Sequence, residues 1–152
     1  MGYNSPMAYT NLLVHCVFST KERRRLIPHA LQNDLWAYMG GIARANGMKA
    51  LAVGGTADHA HMLLSIPATM PVAKAVQLIK AGSSKWIHER TGQALAWQES
   101  YGAFTIGVSQ LPRTMAYIRG QEKHHERGGF DREFLAFLRK NGIPFEERYA
   151  LG

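Results

Sequence analysis

The chain has 152 residues, 46% of them hydrophobic and 19% charged, which suits one globular domain and is too short for two comfortable ones. Eighteen Lys and Arg against eleven Asp and Glu leave a net charge of +7, which argues for a polyanionic partner and says nothing of the fold. No apolar run is long enough for a membrane span, no secretory hydrophobic region opens the chain, and a lone cysteine, Cys16, excludes an internal disulfide framework. A cytoplasmic protein is expected.

In chain order, residues 1–8 look like a loose leader. Leu12-Leu13-Val14-His15-Cys16-Val17-Phe18 reads as a first strand. Lys21-Glu22-Arg23-Arg24-Arg25 follows as an exposed loop whose cations suit phosphate contacts or simple solvation. Pro28 can open a helix, and Leu31, Leu35, Tyr38, Met39 and Ile42 recur at helical spacing up to a stop at Asn46-Gly47. Residues 48–53 read as a short strand and 54–58 as a tight connection. The apolar run His59 to Ile66, closed by Pro67, reads as a buried strand returning antiparallel.

Pro71 starts a second helix with Val72, Ala75, Val76, Ile79, Gly82 and Trp86 on its apolar stripe. The other face carries Lys74, Gln77, Lys80, Ser84, Lys85 and His88 with no acid before Glu89, which suits a nucleic-acid-facing surface. Thr91-Gly92 ends this helix. Residues 103–108 predict a further strand, and residues 112–126 a third helix carrying Tyr117. A break at 124–129 precedes an amphipathic C-terminal helix over 130–141, with Phe130, Phe134, Leu135, Phe137 and Leu138 as its stripe. Gly142-Ile143-Pro144 stops it.

Strand, helix, strand, strand, helix, strand is the order of an α+β, ferredoxin-like (RRM-like) fold. Its antiparallel sheet has helices on one face, and C-terminal helices carrying the tyrosine follow, all in a single domain over 1–152.

Residues two apart on a strand share a face, so His59 and His61 project side by side with Ala60 opposite. Such a pair makes half a metal site, a clamp for a phosphate, or two core histidines satisfied by hydrogen bonds. Tyr117 and Gln121 are four apart and share a helix face. A tyrosine hydroxyl can attack a phosphodiester and form a phosphotyrosine. With a normal pKa near 10 it is a weak nucleophile at neutral pH, and a cation must polarise the phosphate. The two imidazoles can supply that cation site and Gln121 an oxygen ligand, a neutral shell suited to weakly held Mg²⁺ or Mn²⁺. His15 is a strand histidine near this site or in the core, and His124-His125 a polar helix end beside it.

With these residues in view, Asp58-His59-Ala60-His61-Met62-Leu63-Leu64, Tyr117-Ile118-Arg119-Gly120-Gln121 and Trp97-Gln98-Glu99-Ser100-Tyr101-Gly102-Ala103-Phe104 carry a resemblance. The chain resembles the single-tyrosine insertion-sequence transposases of the histidine–hydrophobic–histidine (HUH) endonuclease superfamily. That resemblance implies that His59, His61 and Gln121 hold a divalent ion and that Tyr117 attacks single-stranded DNA at the element's end hairpins. A 5′-phosphotyrosine and a free 3′-hydroxyl result. It also implies a homodimer, in which the tyrosine helix of one subunit often serves the other. Ala60 is smaller than the family's usual residue between the histidines. Two other functions are compatible: a related nicking enzyme for replication initiation, and a non-catalytic nucleic-acid binder. Arg23, Arg24, Arg25, Lys74, Lys80 and Lys85 are DNA-contact candidates on charge.

Overall fold

A computed structural model describes residues 8–125 and 129–151. Residues 1–7 of the expected leader and residues 126–128, which include the end of the predicted tyrosine helix, lie outside the described residues, as do the side chains of His124 and His125.

Strands β1 (Leu12–Ser19), β2 (Lys49–Gly55), β3 (His59–Ile66) and β4 (Gly102–Thr105) form one sheet in the order β2-β3-β1-β4. Every neighbouring pair is antiparallel. Helices α1 (His29–Ala45) and α2 (Val72–Thr91) make the two crossovers. This is the ferredoxin-like α+β arrangement expected from the element order. Alternation along the strands aims Val14, Cys16, Phe18, Ala60, Met62 and Leu64 at one layer. They meet Leu35, Met39 and Ala43 of α1 and Val76, Ile79 and Trp86 of α2 in the main core.

The opposite sheet face is covered too. Helices α3 (Leu111–Arg119), α4 (Gln121–His125), α5 (Phe130–Lys140) and the short α6 (Glu147–Ala150) follow β4. Val17 and Phe104 pack with Phe130, Phe134, Leu135 and Leu138 of α5. Ala52 and Leu63 pack with Ile118 of α3. Burial on both faces explains why β1 and β3 read as continuous apolar runs rather than alternating ones. It also encloses His15, His59 and His61, which share this second face.

One glycine sets how close α3 comes. A Cβ on Gly54 of β2 would lie 2.2 Å from the Ile118 carbonyl oxygen, so any larger residue would push the helix off the sheet.

Several predicted boundaries move. β2 runs on to Gly55, into the expected connection. The strand expected over 103–108 ends at Thr105, and a 3-10 turn over Val108–Gln110 leads into α3. The helix expected over 112–126 starts at Leu111 and is divided at Gly120, so Tyr117 and Gln121 stand on two successive helices. Among the described residues, no helix is long and apolar enough to cross a membrane.

Candidate metal and nucleophile site

The site lies between β3 and the C-terminal helices. His59 and His61 are fully buried there, paired across the sheet with Ser19 and Val17. The Nδ1 atom of each imidazole is taken. His59 Nδ1–H donates to Asp58 Oδ1 at 2.8 Å, and that oxygen also accepts from Thr56 Oγ1 at 3.0 Å. His61 Nδ1 meets His15 Nε2 at 2.8 Å. The Nε2 atoms therefore face inward. His59 Nε2 is 2.8 Å from Gln121 Oε1 and 3.9 Å from Glu133 Oε1, while His61 Nε2 is 2.8 Å from the same Glu133 oxygen.

The donor set fits a cation. Gln121 points its amide nitrogen at the Tyr117 carbonyl, 3.4 Å away, which leaves Oε1 toward His59. With Nδ1 on Asp58, His59 turns Nε2 to that oxygen. Ligand atoms of His59, His61 and Glu133 all lie within 4.8 Å of one another. Nitrogen plus oxygen donors at this spacing suit a divalent ion.

Tyr117 enters from α3. Its hydroxyl donates to Glu133 Oε2, and its ring sits edge-on to His61 with centroids 5.7 Å apart. Burial pushes its pKa up, the hydrogen bond and charge of Glu133 push the same way, and a hydrogen bond with Gln121 opposes them. Without a cation the phenol is thus held firmly protonated. Burial lowers His15 to about 3, with His61 adding to the effect and Glu133 opposing it, so His15 is a neutral imidazole.

Sequence reasoning proposed His59, His61, Tyr117 and Gln121, and the fold brings all four to one place. It missed Glu133, the acid that touches both the imidazoles and the phenol. A signal existed: Glu133 stands three after Phe130 and four before Phe137, on the apolar side of α5. Asp58 stands in the sequence only as part of the histidine motif, and the structure makes it the partner of His59.

Residues 8–121 match a family model described as Transposase IS200 like. The chain belongs to the IS200-like transposase family. It is 26% identical over 137 residues to the transposase for insertion sequence element IS200 of Salmonella typhimurium, covering 84% of this chain and 90% of that one. The Salmonella typhi transposase for the same element matches to the same extent. Two solved structures share the fold. One, from Deinococcus radiodurans and described as a transposase, superposes with a TM-score of 0.63 at 20% identity over 82% of this chain and 98% of that one. The other, a REP-associated tyrosine transposase bound to a REP hairpin, gives 0.52 at 15% identity over 78% and 70%.

In this transposase the six basic candidates do not behave alike. Lys80 is directed inward, with Nζ 2.5 Å from the Gln98 carbonyl, 3.2 Å from that of Ser100, and over the rings of Phe18 and Tyr101. Burial lowers its pKa. Arg23 donates to the Leu151 carbonyl and pairs with Asp131 at 2.9 Å, so it ties the C-terminal segment down. Among the six candidates, these two also hold acceptors of their own chain. Arg24 forms a surface pair with Glu22 at 3.1 Å. Lys74 and Lys85 are exposed on α2, across the sheet from the histidines. Arg25, also exposed, lines a groove of about 550 Å³ with His29, Gln32, Thr56, Asp58 and Phe130. Phe130 packs on His59 with centroids 4.8 Å apart, so this groove leads to the site.

Proposed function

We propose that this transposase cleaves and rejoins single-stranded DNA at element-end hairpins, with Tyr117 as the nucleophile and Mg²⁺ or Mn²⁺ held by His59, His61 and Gln121. The carrying observation is that a phenol, two imidazole nitrogens and an amide oxygen from β3, α3 and α4 converge in one buried place.

A bound divalent ion supplies Lewis-acid polarisation of the scissile phosphate. Asp58 and His15 set the imidazole orientation. The Tyr117 oxygen attacks phosphorus, the bond to the 3′ oxygen breaks, and the proton lost by the phenol is matched by the one gained by the 3′-hydroxyl. The 5′-phosphotyrosine stores the bond energy, and attack by a 3′-hydroxyl later restores the diester and frees Tyr117. Neither ATP nor a water nucleophile is required.

The hairpin-bound solved relative supports a DNA hairpin as partner. The net charge of +7 supports a polyanion in general. We place the protein in the cytoplasm as a homodimer on DNA. Tyr117 stands beside its own chain's His61, so exchange of the tyrosine helix between subunits is not needed to complete the site.

The test incubates labelled single-stranded DNA from the flanks of the gene with protein and Mg²⁺ or Mn²⁺, then scores a covalent protein–DNA band on a denaturing gel. A metal-dependent band absent in Tyr117→Phe, with hairpin binding retained, is the expected result. A band of full strength in that variant removes Tyr117 as nucleophile. Binding with no band in the wild type leaves a DNA-binding protein.

A further inference from the structure

We propose that Glu133 of α5 is itself a ligand of the divalent ion, through Oε1, while Oε2 holds the Tyr117 hydroxyl beside that ion. This rests on the metal assigned above to His59 and His61. It adds a ligand from a helix outside residues 8–121, the part of the chain that matches the family model.

Three observations carry it. First, one carboxylate serves both partners: Oε1 is 2.8 Å from His61 Nε2 and 3.9 Å from His59 Nε2, and Oε2 accepts from Tyr117. Second, the Glu133 side chain is only 10% exposed. A buried carboxylate is held by ion pairs or by a metal, and an ion between the imidazoles would meet Oε1 where His61 already does. Third, its position is built rather than incidental. Phe130, Phe134, Leu135 and Leu138 anchor α5 on Val17 and Phe104, and Arg23 grips Asp131 two residues before Glu133.

The chemistry agrees. Two imidazoles and one amide bring no negative charge, whereas Mg²⁺ and Mn²⁺ favour carboxylate oxygen. Glu133 supplies the missing anion. With its second oxygen on the phenol, it also keeps the nucleophile within one carboxylate of the ion. Binding metal would then fasten α5 to β3.

Mn²⁺ titration by calorimetry compares full-length wild type, Glu133→Gln and His61→Ala, with circular dichroism as the fold control. Glu133→Gln, which keeps the side chain's shape, is expected to weaken Mn²⁺ about 100-fold, the upper end of what even outer partners of a metal site cost. Hydrogen exchange on the wild type needs no substitution: Mn²⁺ is expected to slow amides in residues 130–137. Unchanged Mn²⁺ affinity in Glu133→Gln, with binding lost in His61→Ala, overturns the Glu133 assignment and leaves the metal and tyrosine assignments standing. Exchange in α5 indifferent to Mn²⁺ also overturns it. No Mn²⁺ binding by the wild type overturns both.

Discussion

Tyr117 of α3 and Glu133 of α5 share a hydrogen bond, although sixteen residues and a change of helix separate them. The same carboxylate reaches His61 with its other oxygen. Phenol and imidazole are therefore linked through one acid side chain. Anything that moves α3, α5 or β3 relative to the others must disturb both.

The contact of α3 with the sheet depends on Gly54. Gly54→Ala places a methyl 2.2 Å from the Ile118 carbonyl oxygen, a backbone atom that cannot swing away. We expect a loss of about 1–3 kcal/mol in stability, as for other overpacked sites, and covalent adduct formation that falls further than hairpin binding. Thermal melts and the adduct gel read these separately. Wild-type behaviour in both would mean that α3 does not approach β2 this closely.

Asp58 orients His59 from the side away from the proposed cation site. Asp58→Asn keeps the shape but exchanges a charged acceptor for a neutral amide. Mn²⁺ affinity should drop roughly 10–100-fold, the range for outer partners of metal-binding histidines. Calorimetric titration beside the melting temperature checks this; unchanged affinity would remove Asp58 from the site's support.

Lys80 and the exposed Lys74 and Lys85 should separate by salt dependence. Lys80→Met loses the tether to the carbonyls of Gln98 and Ser100, so it should melt lower while the slope of log affinity against log salt stays put. For Lys74→Ala or Lys85→Ala, each true phosphate contact removed lowers that slope by about 1 and leaves the melting temperature alone. A changed slope for Lys80→Met would contradict its internal role.

His15 makes stability depend on acid. Burial holds its folded pKa at about 3, below the ordinary imidazole value of 6.5. The unfolded chain thus binds a proton that the folded chain refuses. The stability linked to His15 is fully present above pH 6.5 and is lost as pH falls toward 3. At 1.36 kcal/mol per pH unit the loss reaches about 2 kcal/mol by pH 5. Denaturant unfolding at pH 7 and pH 5 should show a larger drop for the wild type than for His15→Phe; equal drops would mean that His15 titrates normally.

Local pattern reaches a long way here. The period of two along a strand predicts that His59 and His61 share a face and that Ala60, Met62 and Leu64 share the other, which is what β3 does. Helical spacing with Pro28, Pro71, Gly47 and Gly92 as punctuation locates α1 and α2. Element order implies the ferredoxin-like sheet, since right-handed crossovers leave few alternatives. All of these are consequences of residues near one another in the chain.

Contacts between distant segments were not legible. Gly120 divides the expected helix, yet packing of Ile118 against Gly54 still brings Gln121 to His59. Lys80 and Arg23 look like any surface cations, and only the fold shows that carbonyls and Asp131 use their charge. Glu133 is marked in the sequence only by its place on the apolar side of α5, and its partners appear once α5 closes over the sheet. Sequence by itself determined the strand bearing the histidines, the helix pattern and the family resemblance, because periodicity and motif spacing are local. Tertiary structure alone decided which acid meets the paired histidines and which cations also hold acceptors of the same chain. Those partners are chosen by how helices pack on the sheet's second face, and no short window of sequence encodes that.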